Sequence, residues 1–155
     1  MKQFLSLALI FLSFNFIFSQ SKSPAEFLGY ELGDRFTRHH QVTDYFNHIA
    51  DENANVKLIK YGETYEHRTL QLAFITAPKN FEKMETLRKN HLKSIGIMDG
   101  DGTTDISIVW LSYNVHGNES VSTEASMKTL YSLIDPNNKE TKKWLENTIV
   151  IIDPC

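Results

Sequence analysis

Two side chains that could bind one metal ion lie three residues apart in the segment His116-Gly117-Asn118-Glu119. Zinc hydrolases commonly use three protein ligands of the imidazole and carboxylate type, and a water in the fourth position has its pKa lowered to about 7. A histidine and a glutamate at this spacing can reach the same ion if the backbone curls between them, and Gly117 permits such a curl. We therefore interpret His116 and Glu119 as candidate ligands of Zn2+.

The spacing of this pair does not establish a metal site without further support. His-x-x-Glu can occur by chance, and the alternative is a strand-end histidine followed by a glutamate that favours the positive N-terminus of a helix. A similar pair, His48 and Asp51, falls in a predicted surface helix, where a solvated helix face is the better interpretation. The other histidines lie in polar surroundings and are expected to be exposed: His39, His40, His67 and His91.

The elements on either side of the pair give it a position that suits a ligand. The run Ile106 to Val115 is nearly continuous in apolar and β-favouring residues, which is typical of a strand covered on both faces. His116 therefore lies at the carboxyl end of a strand, where open α/β sheets place their ligand crevice. A helix is predicted over residues 121–133, with Val121, Ala125 and Leu133 on its apolar face.

Hydrophobic periodicity predicts the remaining elements, although residues 21–34 show no regular period. A strand hairpin comes early, and helices and strands alternate after it. This order predicts an α/β fold with a mixed sheet flanked by helices. The predicted helices are His39 to Asn53, Phe81 to Ile95 and Lys139 to Asn147, and the predicted strands are Val56 to Tyr61, Thr69 to Thr76 and Thr148 to Ile152.

The loop Asp99-Gly100-Asp101-Gly102 has the acidic and glycine residues of a calcium-binding loop. An EF-hand loop needs glycine at its sixth position and glutamate at its twelfth, and these positions hold Thr104 and Trp110. We therefore interpret the loop as a solvated turn.

Length and composition indicate a folded protein of ordinary make-up. The chain has 155 residues, of which 41% are hydrophobic and 23% are charged, and these values argue against a disordered chain. The formal net charge is -3, and no stretch is rich in Lys or Arg. Neither a nucleic-acid-binding surface nor a polybasic membrane patch is therefore indicated.

Residues 1–20 have the pattern of a secretory signal peptide. Lys2 supplies a positive start, the run Phe4 to Phe18 is apolar and uncharged, and Ser19 is a small residue suited to cleavage before Gln20. A membrane anchor is the alternative, but it needs a longer apolar span of about 20 residues. We therefore predict a secreted or periplasmic protein without a stable membrane span after cleavage.

The last residues suggest a longer protein. A strand-like run reaches Asp153-Pro154-Cys155, where the sequence stops, and a domain seldom ends on the rim of a central strand. We therefore expect this chain to be the front part of a longer protein. Cys155 is the single cysteine, and its pairing is left open.

Several short motifs occur in the order and at the spacing of one known family. After its apolar strand, Asn114 to Glu119 resembles the first zinc-binding segment of the zinc carboxypeptidases. Gly62 to Leu70 resembles that family's Gly-x-Ser-x-Glu-Gly-Arg-x-Ile/Leu turn, with His67 in place of the usual glycine. Thr37 to Ile49 resembles its first helix, and Asn147 to Pro154 resembles the strand before an Asn-Pro-Asp-Gly segment. The resemblance implies a carboxypeptidase-like (phosphorylase/hydrolase-like) fold that is incomplete in this chain.

The resemblance also implies a mechanism whose parts lie mostly beyond Cys155. In the family a second histidine completes the zinc site, a glutamate acts as general base, an arginine stabilises the oxyanion, and an Asn-Arg pair with a tyrosine holds the substrate carboxylate. Only His116 and Glu119 can be carried over to this sequence. Residues 21–155 would be the N-terminal part of a catalytic domain with Zn2+ as cofactor and a peptide or protein as substrate. The 155-residue chain alone is expected to be inactive.

Asn118 leaves the substrate class open. Many carboxypeptidases of the family have an arginine just before the zinc-binding glutamate, where it contacts substrate, and this chain has Asn118 there. The His-Gly-Asn-Glu form is also similar to zinc deacylases that act on N-acyl amino acids. The predicted signal peptide and the segment Gly62 to Leu70 favour the peptidase. A third hypothesis is a non-catalytic exported module that keeps the fold and has lost the site.

Overall fold

The computed structural model describes residues 21–154, so the predicted signal peptide and Cys155 lie outside the described residues. Four strands form one sheet: β1 Val56–Glu63, β2 Thr69–Ile75, β3 Ser107–Ser112 and β4 Thr148–Asp153. The helices are α1 Pro24–Leu28, α2 His39–Glu52, α3 Pro78–Phe81, α4 Met84–Ser94, α5 Val121–Ile134 and α6 Lys139–Leu145.

The strands are arranged in the order β1-β2-β4-β3. β1 and β2 form an antiparallel hairpin, β4 is antiparallel to β2, and β3 is parallel to β4. The sheet is therefore mixed and flanked by helices, which confirms the predicted fold class. β1 extends past its predicted end at Tyr61 because the register shifts between Lys60 and Gly62, and this irregularity lets the pairing continue to Glu63.

The larger part of the core lies on one face of the sheet, beneath α2 and α5. α2 buries the face that its periodicity predicts, through Val42, Tyr45, Phe46 and Ile49. These side chains form one cluster with residues of α5, α6 and the strands, including Met127, Leu130, Leu145, Val150 and Ile152. Removal of this apolar surface from water is the main term that stabilises the fold.

The opposite face of the sheet is covered less extensively. Leu87 of α4 and Ile106 pack there against Ile149 and Ile151 of β4, with Met84 of α4 at the side of the cluster. Successive residues of β4 alternate between this cluster and the larger one, as the period of a strand requires. β4 is therefore covered on both faces.

The prediction that the run Ile106 to Val115 is covered on both faces is wrong for the described part of the chain. β3 is the edge strand, and of its six residues only Leu111 is half-buried. Ile108, Val109 and Trp110 are 41%, 42% and 59% exposed. The apolar composition was read correctly, but within residues 21–154 no element lies beside β3 on its outer edge.

The predicted apolar face of α5 is also wrong. Val121 is 73% exposed and Ala125 is exposed, whereas Leu133 is only half-buried. The helix instead buries a face that contains polar residues: Thr123, Glu124, Ser126, Met127, Leu130 and Ile134. The apolar part of this face, Met127, Leu130 and Ile134, has helical spacing, and Glu124 beside it is buried with hydrogen bonds from Gly33 and Thr37.

The region between β2 and β3 also differs from its prediction. The helix predicted from Phe81 to Ile95 begins only at Met84, and Phe81 instead ends a separate short helix that begins at Pro78. The loop after α4 is exposed at Asp99 and Asp101, as expected for a solvated turn. Gly102 is its exception, since a Cβ there would lie 2.2 Å from the carbonyl oxygen of Asn90.

The longest helices of residues 21–154 have 14 residues, and none combines the length and apolar character needed to cross a bilayer.

Candidate metal centre

The two candidate ligands lie in the segment that joins β3 to α5. The amide of Glu119 donates to the carbonyl of His116 at 3.0 Å, which closes a tight turn between the two residues. The amide of Ser122 then donates to the carbonyl of Glu119 at 3.0 Å, and α5 begins at Val121. The turn therefore brings both side chains to the carboxyl end of β3, as predicted.

The donor atoms of the pair come close together. His116 Nδ1 lies 3.2 Å from Glu119 Oε1, and the two side chains are 69% and 56% exposed. Two ligands at the usual zinc bond lengths and tetrahedral angle are about 3.4 Å apart. The separation and the chemical types of the donor atoms therefore fit two ligands of one Zn2+ ion.

The pair forms only part of a metal site. Within residues 21–154, no group of three or more His, Cys, Asp or Glu side chains is arranged to hold a metal ion. His116 and Glu119 would account for two of the three protein ligands that catalytic zinc requires. Asn118, the candidate substrate-binding residue, is exposed between them.

The turn between the ligands contains Gly117 but does not require glycine there, and a second turn precedes it at Asn114. A Cβ at Gly117 would meet no atom within 4 Å, and the residue does not have a positive φ. Asn114 has φ 54° and makes the turn at the end of β3. Asparagine enters the left-handed region more readily than most residues, so its type at this position was a signal in the sequence.

A cavity of about 280 Å3 lies directly behind the turn. It is lined by the start of α2, the turn of the hairpin and the candidate metal segment, through Thr37, His39, Thr64, Arg68, Asn114 and Gly117, among others. Two buried atoms of this lining, His39 Nε2 and Asn114 Oδ1, have no hydrogen-bond partner among the described residues. A larger cleft of about 630 Å3, near the C-terminal ends of α2 and α5, is lined by neither candidate ligand.

Of the four histidines predicted to be exposed from their polar surroundings, His39 and His91 are half-buried. Burial lowers the pKa of His39 below 6.5 and the Arg68 guanidinium lowers it further, while a backbone hydrogen bond with Thr69 raises it. The other is His91, which is half-buried and has its Nε2 3.0 Å from the carbonyl oxygen of Ile106. Both residues sit in polar stretches, which is why local composition gave no sign of their burial.

Glu124 ties the start of the chain to α5. The residue is 7% exposed, and its carboxylate accepts hydrogen bonds at 2.7 Å from the amide of Gly33 and from the hydroxyl of Thr37. Thr37 also lies 2.8 Å from the hydroxyl of Tyr30. The sequence gave no signal for this contact, because a glutamate in the first turn of a helix is normally explained by the helix dipole.

The second histidine–carboxylate pair does not form a metal site in the structure. His48 is half-buried, its ring stacks on Phe27 at 5.1 Å, and its Nε2 lies 3.4 Å from Glu52 and not beside Asp51. His48 is therefore less solvated than predicted.

The carboxyl ends of β3 and β4 meet beside the candidate ligands. Ser112 and Asp153 are paired at the ends of the two strands, and the amide of Tyr113 donates to the carbonyl of Asp153 at 2.9 Å. Burial raises the pKa of the Asp153 carboxyl, and a hydrogen bond from Tyr61 partly offsets the rise. These contacts hold the segment before His116 against the central strand.

Comparison with known proteins gives a consistent result. Residues 42–155 match the family model described as zinc carboxypeptidase. The structure of carboxypeptidase A from Helicoverpa armigera matches with a TM-score of 0.59 at 18% identity, over 99% of this chain and 31% of that one. Thrombin activatable fibrinolysis inhibitor (TAFI) matches with a TM-score of 0.54 at 13% identity, over 77% of this chain and 25% of that one. The comparison with curated protein sequences gives no match.

The two solved structures are under 25% identical to this chain, so they support the fold and not the details of a site. This chain spans less than a third of the length of either one.

Proposed function

This chain belongs to the zinc carboxypeptidase family, and we propose that it supplies the N-terminal part of the catalytic domain of an exported zinc metallopeptidase that removes residues from peptide C-termini. One observation carries the proposal. His116 and Glu119 converge to 3.2 Å at the carboxyl end of β3, in the part of the chain that matches the family. A strand end in an open α/β sheet is where a ligand crevice is expected.

Each residue of the pair has a defined role in this proposal. His116 would bind the ion through Nδ1, and Glu119 would bind it through its carboxylate. When bound, Zn2+ supplies a water of lowered pKa and polarises the carbonyl of the substrate. The hydrogen bond from Glu119 to His116 within the turn holds the two side chains on the same side of the backbone. Asn118 is exposed between them and would contact substrate.

The proposal assigns the remaining catalytic parts to sequence beyond residue 155. A general base and a third zinc ligand are needed for hydrolysis, and the described residues hold no third ligand beside the pair. We therefore expect the 155-residue chain to bind Zn2+ weakly and to hydrolyse nothing. A zinc-dependent peptidase rate measured with this chain alone would refute that expectation.

The main experiment compares variants of the full-length protein. His116→Ala and Glu119→Ala each remove a ligand, and we expect at least a ~100-fold fall in kcat/KM on a blocked peptide, since metal catalysis supplies several kcal/mol. His40→Ala is the matched control, because His40 is exposed and does not line the cavity behind the turn. Chelation should abolish wild-type activity, and added Zn2+ should restore it. Activity that survives both the substitutions and chelation would exclude a zinc mechanism.

Asn118 supports a second candidate function within the same chemistry. The His-Gly-Asn-Glu form, with Asn118 just before the glutamate, is also similar to zinc deacylases. The protein would then hydrolyse N-acyl amino acids rather than peptides. Parallel assays on a blocked dipeptide and an N-acyl amino acid separate the two activities, and we expect the higher kcat/KM on the dipeptide. The opposite preference would support the deacylase, and no hydrolysis of either would support a non-catalytic module.

Export is the part of the proposal that rests on residues 1–20. Their positive start, apolar stretch and small residue before Gln20 support cleavage by a signal peptidase. N-terminal sequencing of the mature protein should begin at Gln20. A mature protein found in the cytoplasm with Met1 retained would contradict export without affecting the zinc site.

A further inference from the structure

The cavity behind the metal segment contains two polar atoms that require a partner. His39 Nε2 reaches it from the start of α2, and Asn114 Oδ1 reaches it from the turn that ends β3. Both atoms are buried, and neither has a hydrogen-bond partner among residues 21–154. A buried polar atom without a partner costs about 1–3 kcal/mol, so two such atoms beside one cavity indicate that something in the cavity bonds to them.

The ring of His39 can offer the cavity a hydrogen-bond acceptor. Burial and the Arg68 guanidinium lower its pKa, and an interaction with the backbone of Thr69 partly offsets this. A neutral imidazole has one nitrogen that donates and one that accepts, so Nε2 accepts when Nδ1 carries the proton.

No donor among residues 21–154 bonds to either atom. Asn114 Oδ1 is an amide oxygen and accepts, as does Nε2 of His39 when the proton is on Nδ1. The hydroxyl of Thr37 donates to Glu124, and the other donors that line the cavity, among them Thr64 and Arg68, leave both atoms without a partner. Water is the smallest molecule that can donate to both acceptors, and about 280 Å3 is more than enough room for it.

We propose that His39 is a positioning residue for the zinc-binding segment, and that it acts on Asn114 through water held in the cavity between them. The proposal rests on the proposed function for its effect on zinc. Asn114 lies two residues before His116 and has a left-handed backbone, a conformation that its surroundings must maintain. A hydrogen bond to its side chain from the α2 side fixes this turn, and thereby the direction of the His116 side chain.

The first test measures zinc affinity in the full-length protein by competition with a chromogenic chelator. His39→Leu removes the acceptor, and we expect the zinc Kd to rise about tenfold, as is typical for groups that orient metal ligands. His39→Gln places an amide oxygen near the position of Nε2 and should recover most of the affinity. His40→Leu is the control, because the neighbouring His40 is exposed and does not line the cavity.

The thermal midpoint of the zinc-free proteins separates positioning from stability. If His39→Leu lowers the midpoint but leaves the zinc Kd unchanged, His39 has only a structural role and the proposal is wrong. A crystal structure of the zinc-free wild-type protein supplies a second, independent result. We expect an ordered water within hydrogen-bond distance of both His39 Nε2 and Asn114 Oδ1. A dry cavity, or a direct bond between the two side chains, would overturn the proposal even in a protein that binds no zinc.

Discussion

β4 and β3 are parallel neighbours with similar sequences, Thr-Ile-Val-Ile-Ile-Asp and Ser-Ile-Val-Trp-Leu-Ser, but their surroundings differ. Ile149 of β4 is 1% exposed, whereas Ile108, its partner in the register of β3, is 41% exposed. β4 lies between two strands and has apolar clusters on both faces. β3 is at the edge, and it leads into the segment that carries the candidate zinc ligands.

This difference shows that apolar composition indicates that a strand could be buried on both faces. It does not show whether other elements cover those faces in this chain. A two-sided apolar strand is typical of the interior of an α/β sheet. β3 has that composition at an exposed edge, which agrees with the proposal that this chain supplies part of a larger catalytic domain. The candidate zinc ligands then follow a strand whose outer edge has no neighbouring strand within residues 21–154.

The largest expected effect comes from truncating the two paired isoleucines in the 155-residue chain. Ile149→Ala leaves a cavity in a packed cluster and should lower the free energy of unfolding by about 2–5 kcal/mol. Ile108→Ala removes a side chain that is already partly in water and should cost about 1 kcal/mol or less. Urea denaturation of both variants measures the difference.

The same pair of variants in the full-length protein sharpens the comparison. If the rest of the domain covers β3, the cost of Ile108→Ala should rise towards that of Ile149→Ala. If the two substitutions lowered the free energy of unfolding of the 155-residue chain equally, β3 would be as well packed as β4, and the difference between the strands would be refuted.

A smaller effect is expected on self-association. An exposed apolar edge strand can pair with another chain, and a charged residue on such a strand hinders the pairing. Trp110→Lys should therefore lower the fraction of dimer and larger species of the 155-residue chain in sedimentation experiments. Trp144→Lys is the matched control, because Trp144 is 56% exposed, close to the 59% of Trp110, and lies in α6 away from the edge. If both variants lowered the fraction of dimer and larger species equally, pairing through the edge strand would not be the cause of self-association.

The smallest effect concerns pH and the cavity beside the site. The pKa of His39 is lowered in the folded protein, so an unfolded chain takes up a proton near pH 6.5 that the folded chain does not. The free energy of unfolding should therefore fall as the pH drops below 6.5, and His39→Gln should lack this part of the loss. Urea denaturation of both proteins between pH 7.5 and about 5 measures it. Parallel pH profiles would show that the ring is not protected from protonation.

Most of the fold could be predicted because burial there follows a simple period. The helix from His39 buries Val42, Tyr45, Phe46 and Ile49 at helical spacing, and both hairpin strands end within two residues of their predicted ends. The position of His116 and Glu119 at a strand end could be predicted in the same way. A sequence pattern reports only on residues that are near one another along the chain. The helix, the hairpin and the strand end before His116 are formed by such residues.

The features that could not be predicted depend on contacts between distant segments. His39 lies in a polar stretch, yet its Nε2 is buried beside the hairpin turn, and the buried face of α5 includes Glu124, whose partners lie before α2. The predicted curl between His116 and Glu119 is present, but the additional turn at Asn114, which ends β3, was not predicted. None of these contacts has a period, so only the arrangement in space reveals them.

The hydrogen bonds of Glu124 bear on the stability of a protein shortened at its N-terminus. The family match begins at residue 42, and a protein cut there would keep every strand and both candidate ligands. It would lose Gly33 and Thr37, which donate to the buried carboxylate of Glu124 from nearly 90 residues away in sequence. Because these hydrogen bonds and the packing of Phe27 and Leu28 against the larger core would be lost together, we expect a protein cut at residue 42 to be less stable than one that begins at residue 21.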